Sequence, residues 1–166
     1  MSPITLGFEV HYYLVLFSVL LHLGFNSTFT SWIIACLSSV TFEIMVNGGK
    51  SESFTPNRGL RQGDPLSFYL FILGQEVLSR LLDHEVRTKN ISGIKASSHG
   101  SAITHIMYAD DIILFSKATS KDAYDINVVL EKYYSWFGQR ISNSKSRVFF
   151  SKHTHPSHRR HIKEIL

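Results

Sequence analysis

Ile103-Thr104-His105-Ile106-Met107-Tyr108-Ala109-Asp110-Asp111-Ile112-Ile113-Leu114-Phe115-Ser116 sets two adjacent aspartates between two short apolar, β-rich runs. The runs, 103–108 and 111–116, leave almost nothing between them, so the chain must reverse near Ala109-Asp110 in a tight hairpin with acids at its tip. Successive strand residues face opposite sides. A regular strand would therefore push at least one aspartate into an apolar interior, where an ionised carboxylate is costly unless it is paired or holds a metal. A tight turn relaxes that alternation and can present both acids at the rim. Hard cations such as Mg²⁺ take oxygen ligands and keep waters and substrate phosphates in their shell. Spacing alone leaves two readings open: a plain solvated turn, or a metal site suited to phosphoryl transfer.

Upstream, Pro56-Asn57-Arg58-Gly59-Leu60-Arg61-Gln62-Gly63-Asp64-Pro65 reads as a loop ending in a helix start. Asp64 can cap the free amides of the first turn, and Pro65 suits the first helical position. Leu66, Leu70, Leu73, Val77, Leu78 and Leu81 then predict an amphipathic helix to about Asp83. Downstream, Thr119 and Asp122 have the shape of a capping box, and Ile126, Val129, Leu130, Tyr133 and Phe137 carry a helical stripe to Gly138. A strand is expected at Arg147-Val148-Phe149-Phe150, and the start of a helix at the end of the chain.

The first part reads as two helices and a ribbon. Leu14 to Leu23 is apolar almost all round and stops at Gly24, as a buried helix would. Asn26-Ser27-Thr28 offers caps for a helix near Phe29 to Leu37, with Trp32, Ile33, Cys36 and Leu37 at helical spacing. Residues 41–55 then read as a hairpin turned at Asn47-Gly48.

Composition narrows the classes further. Of the 166 residues, 44% are hydrophobic and 18% charged, which furnishes a core and excludes disorder over most of the length. A single domain over 1–166 is expected. Seventeen Lys and Arg against thirteen Asp and Glu give +4 with histidine neutral, which permits an anionic partner without requiring one. Cys36 is the sole cysteine, so no intramolecular disulfide can form, and its apolar surroundings predict a small buried hydrophobe. The run from Tyr12 falls short of the roughly 20 apolar residues of a span and lacks a basic start, so an intracellular chain without membrane attachment is expected. His153, His155, His158 and His161 lie among Lys152, Arg159, Arg160 and Lys163, the composition of a solvated basic tail more than of a metal site.

Three motifs in order carry a resemblance. Arg58-Gly59-Leu60-Arg61-Gln62-Gly63-Asp64-Pro65-Leu66-Ser67, then Tyr108-Ala109-Asp110-Asp111, then Phe137-Gly138-Gln139-Arg140-Ile141-Ser142-Asn143-Ser144-Lys145-Ser146 resemble the reverse transcriptase of non-LTR (LINE-type) retrotransposons, plant copies above all. The likeness extends from about Leu21 to Ser151, leaving 152–166 as a basic tail. It implies an α+β fold, a partial polymerase palm whose antiparallel sheet with its catalytic hairpin is packed by helices, with fingers and thumb largely missing. It implies RNA-directed DNA polymerase chemistry on an RNA template, a DNA primer and deoxynucleotides, with two Mg²⁺ ions as cofactor. Asp110 would be the metal-binding carboxylate and Asp111 its less direct neighbour. Gln62 and Gly63 would lie where template and incoming nucleotide pass, with Tyr108 also in the nucleotide or template group. Lys145 would serve the leaving pyrophosphate or stand merely solvated, and Arg58 and Arg61 would be phosphate contacts or merely loop charge.

The departures from the family pattern set the expected activity. Two-metal chemistry needs carboxylates on different strands to hold ions about 3.5–4 Å apart. The family's other essential aspartate precedes the Gly-Phe that matches Gly24-Phe25, yet here that region reads Gly7-Phe8-Glu9-Val10-His11 and no aspartate stands before Asp64. A misplacement near 1 Å can cost about a hundredfold in rate, so glutamate at position 9 is a poor replacement. The chain is expected to be a truncated copy, inactive alone, or else a non-catalytic nucleic-acid-binding remnant.

Overall fold

A computed structural model describes residues 9–56, 59–95, 97 and 100–166, with Glu9 to His11 described by their backbone alone. The chain divides into two compact units, Met1–Gly74 with Trp136–Gly138, and Gln75–Ser135 with Gln139–Leu166. The fold is α+β, with five helices and three two-stranded antiparallel sheets among the described residues.

In the first unit α1 (Glu9–His22) packs on α2 (Ser27–Ser38). The α1 terminus closes at Gly24, where Phe25 N–H donates to the Leu20 carbonyl at 3.1 Å and Gly24 N–H to that of Leu21 at 3.0 Å. Asn26 caps α2, its Oδ1 accepting from Thr28 N–H at 2.8 Å. Apolarity around most of α1 predicts a helix buried on all sides, but among its described side chains Tyr12, Leu16 and Leu20, one face at helical spacing, are the buried ones, while Leu14 and Leu21 are exposed. On α2 the buried stripe is Thr30, Ile33 and Leu37, not the expected one through Trp32 and Cys36: Trp32 is 64% exposed and Cys36 is exposed. The inward position goes to a threonine because its hydroxyl is satisfied locally, donating to the Asn26 carbonyl at 3.0 Å.

The ribbon is short. Strands β1 (Met45–Val46) and β2 (Gly49–Lys50) flank Asn47 at φ 50° and Gly48 at φ 81°. Positive φ at both central residues is the type I′ geometry that matches strand twist, and it is why Asn-Gly stands there. Phe42 and Phe54 extend the pairing beyond β2 as an isolated bridge.

Helix α3 (Pro65–Arg87) runs one turn past the expected end and contributes to both units. In the second unit β3 (Ile94–Lys95) pairs with β4 (Ala102–Ile103), a pairing the sequence reading did not anticipate. Strands β5 (His105–Tyr108) and β6 (Asp111–Leu114) form the expected acidic hairpin. The run 103–108 is not one strand, because pairing changes partner at Thr104: Ile103 faces Ile94, whereas His105 faces Leu114.

Helix α4 (Ser120–Phe137) starts with one arm of the foreseen capping box; the other is missing, because the Thr119 N–H donates to the Lys117 carbonyl at 2.8 Å. Thr119 Oγ1 donates to Asp122 Oδ1 at 2.6 Å and accepts from Asp122 N–H at 3.1 Å. Ile126, Val129 and Tyr133 line the second unit's core with Leu78, Leu82, Ile91 and Ile162. The expected strand at 147–150 is absent: the run has no ladder partner among the described residues, and Phe149 is 92% exposed. A strand exists only where a second segment supplies its hydrogen bonds, which sequence pattern cannot guarantee. Helix α5 (Pro156–Ile165) follows. No helix among the described residues is long and apolar enough to cross a membrane.

Candidate functional site

The acidic hairpin belongs to the second unit. Its register pairs His105 with Leu114, Ile106 with Ile113, Met107 with Ile112 and Tyr108 with Asp111. Alternation sorts these pairs by face. His105, Met107, Ile112 and Leu114 are half-buried, while Ile106, Tyr108, Asp111 and Ile113 face solvent. Ala109 and Asp110 form the whole connection, so Asp110 projects from the tip and Asp111 opens the outer face of β6; both are exposed. Neither carboxylate is driven into the apolar side, which removes the desolvation penalty that a buried acid would carry.

Two local features hold this tip. Ala109 sits at φ 51°, a left-handed conformation sparsely populated by residues with a Cβ. Strain of this kind is tolerated where surrounding structure fixes it, and it clusters beside functional groups. At the other end of the strand, His105 is held through both ring nitrogens: Nε2 lies 2.8 Å from Ser79 Oγ on α3, and Nδ1 lies 2.8 Å from Thr104 Oγ1. Through these two contacts the ring ties the hairpin root to α3. The Thr104 carbonyl also accepts from Phe115 N–H at 2.7 Å. Nothing in the sequence pattern pointed to Ser79, Thr104 or His105, because Ser79 and His105 are brought together by folding over 26 residues.

Lys145, also in the second unit, rides an exposed turn in which its N–H and that of Ser146 both donate to the Ser142 carbonyl, at 3.0 and 2.9 Å. Arg61, Gln62 and Gly63 belong to the first unit and are exposed on the loop that feeds α3. Gly63 has φ 85°, which a side chain would strain, and it allows Asp64 to turn back over the helix start. Asp64 Oδ1 accepts from Leu66 N–H at 2.8 Å, while its carbonyl accepts from Ser67 N–H at 3.1 Å. Beside this loop lies a small cavity of about 200 Å³, lined by Tyr13, Leu37, Phe42, Leu60, Arg61 and Asp64 among others. Burial raises the Tyr13 hydroxyl pKa above its ordinary value, and the same effect, with Tyr13 alongside, raises that of Tyr12 to about 12. Arg58 lies outside the described residues. Glu9 opens α1.

Asp110 and Asp111 offer the hard oxygen donors that suit Mg²⁺ at an open rim. Among the described residues no group of three His, Cys, Asp or Glu side chains gathers there or elsewhere. The pair therefore fits one side of a magnesium shell and falls short of a complete two-metal centre. The C-terminal histidines are spread rather than clustered: His155 caps α5 and His161 faces Glu164 at 3.8 Å.

The profile of the reverse transcriptase (RNA-dependent DNA polymerase) family matches residues 15–162. An uncharacterised mitochondrial protein of Arabidopsis thaliana is 48% identical over 67 residues, which are 40% of this chain and 55% of that protein. The retrovirus-related Pol polyprotein from a type-2 retrotransposable element of Drosophila melanogaster is 42% identical over 103 residues, 60% of this chain and 8% of that protein. The chain thus spans about half the length of the first relative and under a tenth of the second. The likeness to a retrotransposon Pol polyprotein agrees with the resemblance to non-LTR retrotransposon reverse transcriptases that the motifs carry. With the loop at Gln62-Gly63, the acidic hairpin and Lys145 all inside a match that takes in most of its length, the chain belongs to the reverse transcriptase (RNA-dependent DNA polymerase) family.

Proposed function

We propose that the chain is palm material of an RNA-directed DNA polymerase, with Asp110 as its metal-bearing carboxylate and Asp111 as the adjacent anion. The observation that carries this reading is the placement of both acids on the solvent side of a hairpin whose other face is half-buried. Such a tip can meet a polyphosphate without desolvating its own carboxylates. Mg²⁺ bound there would neutralise charge on the phosphates of an incoming deoxynucleotide. Tyr108, on the same face as Asp111, offers a ring against which a nucleotide can lie. Gln62 and Gly63 would pass the template and incoming nucleotide, Arg58 and Arg61 would hold phosphates, and Lys145 would meet the leaving pyrophosphate.

Full polymerase activity needs a carboxylate on a second strand, and the sequence holds no aspartate before Asp64. The chain alone is accordingly proposed to bind RNA template and DNA primer and to extend the primer feebly or not at all. Primer extension on an RNA template with Mg²⁺ or Mn²⁺ tests this reading. Any extension should vanish in Asp110→Asn, and extension that survives the substitution rejects the assignment.

A second reading, non-catalytic nucleic-acid binding, is favoured by the lack of a third metal donor beside Asp110 and Asp111 among the described residues. It predicts template–primer binding that weakens steeply with salt and is indifferent to Mg²⁺ and to Asp110→Asn.

A further inference from the structure

We propose that the second unit carries an oligophosphate site in a cleft ringed by Lys89, Lys95 and Lys117, separate from every residue that matches the family's motifs. The cleft has a volume of about 650 Å³ and is walled by Val86, Ile91 and Gly93 among others. All three lysines are exposed, and no carboxylate lines the cleft among the described residues. Three acids of the flanking helices, Glu85, Asp122 and Asp125, are already engaged. Asp122 accepts from Ser92 N–H at 2.8 Å and from Thr119 Oγ1 at 2.6 Å. Asp125 pairs with Lys121 at 3.2 Å, and Glu85 accepts from Asn90 Nδ2 at 2.6 Å.

Backbone geometry singles out Lys89. Asn90 N–H donates to the Glu85 carbonyl at 2.9 Å and Lys89 N–H to that of Val86 at 3.0 Å, the pattern that ends a helix on a left-handed residue. Glycine is the usual occupant, yet here a lysine is held at φ 62°. A long cationic side chain kept in a strained conformation at the lip of a cleft is the kind of outlier that marks a binding surface.

Two local contacts fix one wall of this open cleft. Gly93 lies so close to β4 that an added Cβ would stand 2.9 Å from Ala102 Cβ, and Asp122 fixes the adjoining Ser92 amide. Three ammonium groups lining one open cleft suit a ligand that carries several phosphates more than a single anion. The ligand class is a chain of phosphates, supplied either by a single-stranded nucleic-acid backbone or by free polyphosphate. This site does not depend on the assignment of Asp110 and Asp111.

The test uses the full chain, a short fluorescein-labelled single-stranded RNA read by anisotropy across a salt series, and the variants Lys89→Gly and Lys89→Gly/Lys95→Gln/Lys117→Gln. The triple variant should weaken binding about tenfold and lower the salt slope by about two. Lys89→Gly alone should weaken binding while raising the melting temperature, so that the loss cannot come from unfolding. Displacement of the RNA by tripolyphosphate assigns the site to the phosphate chain itself; displacement by unlabelled RNA alone assigns it to the nucleic-acid backbone. Unchanged affinity and slope in the triple variant would overturn the proposal.

Discussion

Tyr108 and Asp111 are cross-strand partners on the exposed face of one hairpin, joined by Ala109 and Asp110 alone. That pairing fixes which way the acids point: Asp111 shares the solvent face with Tyr108, and Asp110 is left at the tip. A one-residue slip in register would turn the whole outer face inward.

The first prediction concerns the turn itself. Ala109 is held at φ 51°, where glycine carries no Cβ penalty. Ala109→Gly should stabilise the fold by about 1 kcal/mol, since relief of strain outweighs the added freedom of the unfolded chain. Urea unfolding checks this, and a lower midpoint would show that the turn is unstrained.

A second prediction tests the tie between α3 and the hairpin. Ser79→Ala should cost about 1 kcal/mol, and a double-mutant cycle with His105→Phe should return a coupling of similar size. Additive losses would mean that the 2.8 Å contact carries no energy.

Asp122 should matter more for stability than any exposed acid. It is buried and accepts from both Ser92 N–H and the Thr119 hydroxyl. Asp122→Ala should cost about 2–3 kcal/mol by leaving those donors unpaired, whereas Asp110→Ala should be near neutral for folding. Thermal melts of the two variants side by side make the comparison.

Alkaline pH supplies a fourth. Burial raises the Tyr12 pKa from 10.0 to about 12. The folded state therefore holds this proton more tightly than the unfolded chain. The stabilisation is fully present below pH 10 and is lost as pH rises through about 12. The loss amounts to about 2–3 kcal/mol. Tyr12→Phe should flatten that limb of the stability profile, which urea midpoints from pH 9 upward would register; an unaltered limb would assign it to other groups.

Much of this architecture was legible in the residues because it depends on local chemistry. Asn26, the Asp64-Pro65 pair and Thr119 mark helix starts through hydrogen bonds to amides a few residues away, and each starts a helix as expected. Asn47-Gly48 and Ala109-Asp110 mark reversals for the same reason. What escaped was set by distant partners. Arg147-Val148-Phe149-Phe150 has strand composition but no ladder partner among the described residues, while Ile94-Lys95 is a strand because Ala102-Ile103 lies opposite. Cys36 falls off the buried face of α2 because Thr30 takes an inward place. At the candidate site the acids were visible as a motif, whereas the clamp on His105 needed the fold to bring Ser79 to it.

The most direct test of the acidic tip is a Mn²⁺ titration of the isotope-labelled full chain, in the presence of an RNA–DNA template–primer, followed by amide line broadening. Broadening confined to the neighbourhood of Asp110 and Asp111, and lost in Asp110→Asn, is expected if the hairpin grips divalent cations beside a polynucleotide. Broadening that bypasses the hairpin, or that persists unchanged in Asp110→Asn, would contradict it.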